Sequence, residues 1–239
     1  MISPRLARRI ATVHKWLGLI VAFQLVIWTG TGLFFVAFHI TDIRGEHLVH
    51  PATDAPTMNA DNLAFTSADA LKAVAEDRPI EVILRPLGGE PVYEVRGEIG
   101  TFLVSAATGE VIDIDEPRAR ALAQARWIEP DAVLTATFKA SAPKESGLSG
   151  SVWIVRFKGE GNPTLYVSAV NGKVSAPRTD LWRTYDFLWQ LHLMDWGMNE
   201  NFNTPWMLAA AILALSTVLF GIALLVHRFT RGLIRKEAP

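Results

Sequence analysis

His14-Lys15-Trp16-Leu17-Gly18 opens an apolar run that closes on Phe38-His39-Ile40, and this run decides the fold. Between Trp16 and Ile40 only His39 can carry a charge. About 20 apolar residues suffice to cross a bilayer as a helix, so residues 14–40 read as a transmembrane helix. At about 3.6 residues per turn, His14 and His39 lie very nearly seven turns apart and share a face. Gly18, Val21, Leu25, Trp28 and Gly32 fall on the same stripe. An ionisable residue on one face of a membrane helix is a functional hypothesis by default.

A second charge-free run covers residues 206–226 and predicts a transmembrane helix over 206–227. At about 1.5 Å per residue it is about 31 Å long, the thickness of the hydrocarbon core. The two spans enclose a polar middle. Arg5, Arg8, Arg9 and Lys15 precede or open the first span, and no acidic residue comes before Asp42. Arg228, Arg231, Arg235 and Lys236 follow the second. The positive-inside rule then makes residues 1–13 a cytoplasmic arm, 228–239 a cytoplasmic tail, and the middle external. The net charge of −1 conceals basic ends and an acidic centre. Beside two spans the basic ends read as topology signals and contacts to anionic lipid, not as nucleic-acid arms. The first apolar run exceeds the h-region of a signal peptide and no small-x-small site closely follows it, so it is expected to stay uncleaved. Cysteine is absent. Disulfides, thiolate ligands, iron–sulfur clusters and covalent c-type haem are thereby excluded.

Residues 41–180 form the external region. His47 and His50 have H-x-x-H spacing and read first as solvated loop histidines before a linker at Pro51 and Pro56. A helix is expected from Ser67, with Ser67 as its N-cap. Residues 81–85, 91–96 and 101–105 are short runs rich in β-branched and aromatic residues, bounded by Gly and Pro, and read as strands. Thr108-Gly109-Glu110 is a turn signal. The pattern then returns. Arg96 aligns with Arg156, Ser105 with Ser168 and Gly109 with Gly172. This predicts two copies of one small α+β unit, at about 64–115 and 119–178, with a helix at 119–127 opening the second. Residues 181–197 predict an amphipathic helix suited to the headgroup boundary, with Trp182, Tyr185, Trp189, His192 and Trp196 on one stripe. Arg183, Asp186 and Gln190 lie on its other side. Gly197, Asn199, Asn201 and Pro205 break the chain before the second span.

Four of the six histidines sit at membrane boundaries, as two height-matched pairs: His14 with His227 on the cytoplasmic side, His39 with His192 on the external side. Facing imidazoles can supply both axial ligands of a b-type haem, which needs no cysteine. Small residues near His227, with Gly18 and Gly32, would leave room for a flat macrocycle, and Lys15 and Arg228 could pair with its propionates. Haems on both sides would form an electron ladder across the bilayer. The competing reading makes each histidine and tryptophan an interfacial anchor, with His39 snorkelling outward. Trp28 packs on a porphyrin or between helices, and Thr29-Gly30-Thr31-Gly32 reads as a small-residue packing face.

These residues carry a resemblance. The His14-Lys15-Trp16-Leu17-Gly18-Leu19 opening, the β units ending in Ser-Ala-x-x-Gly-x-Val, and Leu191-His192-Leu193-Met194-Asp195 before the last helix resemble the PepSY-associated transmembrane proteins. The resemblance implies a membrane α-helical protein with a periplasmic α+β region of two PepSY-like units. It further implies an inner-membrane oxidoreductase that passes electrons through haem b to ferric iron or a ferric siderophore. Larger members have more spans, so this two-helix chain is expected to dimerise into a four-helix bundle, with haem ligands from one protomer or from two. His47 and His50 stand as alternatives to His39 on the external side.

The competing function is a non-enzymatic, membrane-tethered PepSY module that binds a peptide or a partner protein. A hydrolase is poorly supported: H-E-x-x-H, G-x-S-x-G and a cysteine nucleophile are all missing. No dinucleotide fingerprint follows a strand. The electron donor is therefore external to the chain, a quinol or a separate cytoplasmic reductase.

Overall fold

The computed structural model describes residues 3–51, 62–75, 78–195 and 203–236, with side chains as far as residue 230 in the last helix. The linker at Pro56, the end of the aromatic stripe at Trp196 and the break at Gly197, Asn199 and Asn201 lie outside the described residues, as do the side chains of Arg231, Arg235 and Lys236. The chain divides into a helical unit, residues 1–38 with 184–239, and a unit of residues 39–183.

In the helical unit, α1 runs Pro4–Ala37. It starts well before His14. The Ser3 hydroxyl accepts from the Leu6 N–H, Pro4 occupies the first turn, and nothing between there and His14 breaks a helix. It also ends early. Phe38 is extended, and His39 becomes the N-cap residue of a short helix α2, Ile40–Ile43. The expected face shared by His14 and His39 is therefore not formed, because the helix stops before reaching His39. The last helix, α6, spans Pro205–Lys236. Both long helices are apolar and long enough to cross a membrane, over Pro4–Ala37 and Pro205–Thr230. In α1 the shielded positions include His14, Leu17, Val21, Gln24, Trp28, Thr31 and Phe35, alternately three and four residues apart. In α6 they include Met207, Ala210, Ala214, Thr217, Gly221, Leu224 and His227. This spacing is the seam of a left-handed helix pair, and it carries both His14 and His227.

The second unit is two three-stranded antiparallel sheets. Helix α3, Ser67–Ala73, is capped by Thr66, not Ser67. The Thr66 hydroxyl takes the Asp69 N–H while the Asp69 carboxylate takes the Thr66 N–H, a reciprocal box that Ser67 cannot make. Strands β1 (Pro79–Leu87), β2 (Glu90–Gly97) and β3 (Thr101–Ser105) follow in order. Helix α4, Glu116–Arg126, is capped by Asp115 and leaves Trp127 as its C-cap. Strands β4 (Val133–Lys139), β5 (Val152–Phe157) and β6 (Thr164–Ser168) build the second sheet.

The internal repeat extends to the register. Arg96 pairs with Glu81 and Thr101, and Arg156 pairs with Thr135 and Thr164. Both sheets carry an irregularity at the same place, Pro79/Glu81 and Val133/Thr135. Ser105 Oγ accepts from the N–H groups of Ala107 and Thr108, as Ser168 Oγ does from Val170 and Asn171. Gly109 and Gly172 close these turns with φ of 75° and 69°, a region that glycine enters without steric cost. Ala70 of α3 packs on Val95 and Val104. In the other copy α4 buries Ala119, Leu122 and Ala123 with Val155, Phe157, Leu165 and Val167, and the same core takes in Leu87, Val92 and Leu103 of the first sheet. The copies thus share one core, which neither is large enough to build alone. Helix α5, Asp180–Leu193, leads back to the helical unit.

Candidate functional site

The six histidines separate. His14, His192 and His227 belong to the helical unit; His39, His47 and His50 belong to the second unit and are exposed. His47 sits in a 3₁₀ turn, Glu46–Leu48, and the His50 N–H donates to the Arg126 carbonyl.

His14 lies on the α1 seam with its imidazole against Gly221 of α6. A Cβ at Gly221 would meet the ring at 3.2 Å, so glycine is what admits the imidazole there. The His14 Nδ1 is shielded and has no hydrogen-bond partner among the described residues. Both ring nitrogens of His227 are in the same condition. A buried polar atom without a partner costs about 1–3 kcal/mol. The levels of these imidazoles differ from expectation. Gly221 marks the height of the His14 ring, and His227 is six residues further along α6, about 9 Å of helix rise. The cause is the antiparallel seam, whose register places Gly221 opposite His14.

His192 is held on α1 by a set of contacts of its own. Thr31 is the buried residue of α1. Its hydroxyl lies 2.8 Å from the Ile27 carbonyl and 3.1 Å from that of Trp28, so its proton goes back to the helix backbone. The remaining lone pair accepts from His192 Nδ1 at 2.7 Å. This assigns the proton to Nδ1 and leaves Nε2 with a free lone pair, the arrangement by which second-shell partners orient metal-bound histidines. The Trp28 indole N–H donates to the His192 carbonyl at 2.8 Å. Phe35 meets the His192 ring edge-on at 5.5 Å, and Trp189 stacks at 6.4 Å. The aromatic stripe of α5 is therefore spent on α1, through Tyr185, Trp189 and His192 against Phe35. Trp182 leaves the stripe and stacks under the Arg178 guanidinium at 4.1 Å. Along α1, Thr31 stands about 25 Å of helix rise from His14, so the His14 and His192 positions mark opposite ends of the span.

Two polar residues of α1 escaped the sequence reading. Thr31 lay inside a stretch taken for small-residue packing. Gln24 is mid-span, and its side-chain nitrogen is buried without a partner among the described residues. The signal for both was polarity within an apolar helix. Gly18, Gly30 and Gly32 face open space within 4 Å of where a Cβ would be, so they make no close α1–α6 contact.

No group of three or more His, Cys, Asp or Glu side chains suited to a bare metal ion occurs among the described residues. The family model described as PepSY-associated TM region matches residues 11–238. Neither curated proteins nor solved structures give a match.

Proposed function

Because the chain belongs to the PepSY-associated TM region family, we propose that it is a b-type haem protein of the bacterial inner membrane that reduces ferric iron or a ferric siderophore in the periplasm. The unspent imidazole nitrogens of His14, His192 and His227 in one helical unit carry this reading. Haem would supply one-electron chemistry there. His14 and His227 would hold it at the cytoplasmic end and His192 at the external end. Thr31 keeps the Nε2 lone pair of His192 available. Lys15 and Arg228 would take the propionates. The 9 Å offset, about six residues of rise, favours ligand pairs assembled between two protomers, and a homodimer would make the four-helix bundle. A quinol or a cytoplasmic reductase would supply the electrons.

The test is the absorption spectrum of the full chain purified from haem-replete cells in mild detergent. A sharp Soret band with a low-spin signature is expected, from a species twice the mass of the chain. His14→Ala and His227→Ala should each lose haem or shift its spin state. If both variants keep wild-type haem content and spectrum, the ligand assignment fails. A colourless wild-type sample would favour the non-enzymatic PepSY module.

A further inference from the structure

The two β units are alike in register and unlike in charge at one corresponding place. On β2, Val92, Glu94 and Arg96 alternate onto one face. Glu94 is buried there and holds two cations. Arg85 Nε reaches one carboxylate oxygen at 2.6 Å and Arg96 Nη2 the other at 2.6 Å. Arg96 also pairs with Glu81 at 2.7 Å, and Arg85 donates to the Asn171 carbonyl of the second copy. Both cations on this face of the first sheet are therefore paired with carboxylates of the chain itself.

The register fixes the counterparts in the second sheet. Arg85 opposes Val92, and Lys139 opposes Val152. Glu94 opposes Leu103, and Ile154 opposes Tyr166. Arg96 corresponds to Arg156, and Glu81 to Thr135. Both cations are kept while both carboxylates are replaced, by Ile154 and Thr135. No third repeat follows to cover this face, and Thr135, Thr137, Lys139 and Arg156 are exposed on it. Lys139 and Arg156 have no ion-pair partner among the described residues.

The face is not flat. A 3₁₀ turn, Lys144–Ser146, and the start of α5 wall a cavity of about 490 Å³ that includes Lys139, Ile154, Arg156, Tyr166 and Arg183 in its lining. Its two acidic residues, Glu145 and Asp180, are already committed. Glu145 accepts from the Tyr166 hydroxyl and from Arg183 Nε at 3.0 Å. Asp180 accepts from Arg183 at 3.1 Å and from Asn162 at 2.6 Å. Burial and the bond to Glu145 push the Tyr166 hydroxyl up to about 12, so it stays protonated at neutral pH and adds no negative charge.

We propose that this cavity of the second β unit binds a small oxyanion, a carboxylate- or phosphate-bearing molecule, whose anionic group takes between Lys139 and Arg156 the place that Glu94 fills between Arg85 and Arg96. The geometry of the first copy shows what the cation pair is built to hold: one carboxylate between a diagonal neighbour on the edge strand and a residue two positions along the central strand. Charge-assisted bonds to a planar oxyanion are the strong use of an arginine. Ile154 and the Tyr166 ring supply an apolar floor.

The experiment is titration calorimetry on the full chain in detergent, with citrate and inorganic phosphate as probes. Saturable binding of at least one probe is expected, weakening as ionic strength rises. Arg156→Gln and Lys139→Gln, both exposed, should each lower the affinity about tenfold or more. Ile154→Glu restores the internal carboxylate of the first copy and should abolish binding, while Ile154→Leu keeps it. Thermal melts of each variant show that the fold is retained. Absence of saturable binding to the wild type overturns the proposal. So does wild-type affinity in Arg156→Gln and Lys139→Gln, or in a folded Ile154→Glu.

Discussion

Thr31 shows how one hydroxyl can set the chemistry of a histidine far from it in sequence. Inside a helix its proton is claimed by the carbonyls a turn back, so outward it can only accept. His192 must then present Nδ1–H to it. Thr31→Val keeps the shape and removes the acceptor, which leaves a buried N–H unpaired at a cost of about 1–3 kcal/mol. Nitrogen-15 histidine spectra of the haem-free full chain should show His192 leaving the Nδ1–H tautomer in Thr31→Val and recovering it in Thr31→Ser. An unchanged tautomer in Thr31→Val would remove Thr31 from the site. If haem is bound as proposed, the same substitution should shift the external haem and leave the cytoplasmic one alone.

Among the elements, the two sheets teach most, because nearly identical frames carry opposite electrostatics. In the first, burial alone would raise the Glu94 carboxyl, but hydrogen bonds from Arg96 and Arg85 outweigh it and hold the group below its usual 4.5. A carboxyl depressed in the folded state contributes stability that is fully present above its unfolded value and lost as pH falls through the folded one. The unit of residues 39–183 should accordingly lose stability from about pH 4.5 downward. Glu94→Gln takes the carboxylate away from the half-buried Arg85, leaves Arg96 with Glu81 alone, and should cost about 3 kcal/mol at neutral pH. It should also flatten that part of the pH dependence. Thermal melts across pH 3 to 7 of wild type and variant would check both, and a variant with the wild-type slope would show that another carboxyl is responsible.

At the level of the whole molecule, the basic residues flanking both long helices favour cytoplasmic termini, with the β units in the periplasm. The cost of translocating Arg5, Arg8 and Arg9 opposes the reverse orientation. A reporter active only in the cytoplasm should work when fused after Pro239, and one active only in the periplasm should work when inserted near Gly147, an exposed turn. The opposite pair of results would invert the topology.

By itself the sequence determined the elements whose cause is local: two apolar helices long enough for a bilayer, strands bounded by Gly and Pro, and a repeat legible down to Ser105 and Ser168. Hydropathy, chirality and turn chemistry act within a few residues, so they can be read from the chain. β4 was equally legible in the alternation of Val133 to Lys139, yet was not read as a strand, because the alignment of the copies began at Val152. Tertiary structure decided the rest. His39 drops out of α1 because the helix ends at Ala37, and nothing in the composition of Phe38 marks that stop. The register of the α1–α6 seam sets His14 against Gly221 and offsets His227, since register is a property of two surfaces together. Thr31 acquires its role only when α5 folds back on α1. The open cation pair of the second sheet becomes visible only when strand register shows Ile154 standing where the first copy has Glu94. Each of these depends on which residues meet across long stretches of chain, and a local pattern carries no record of that.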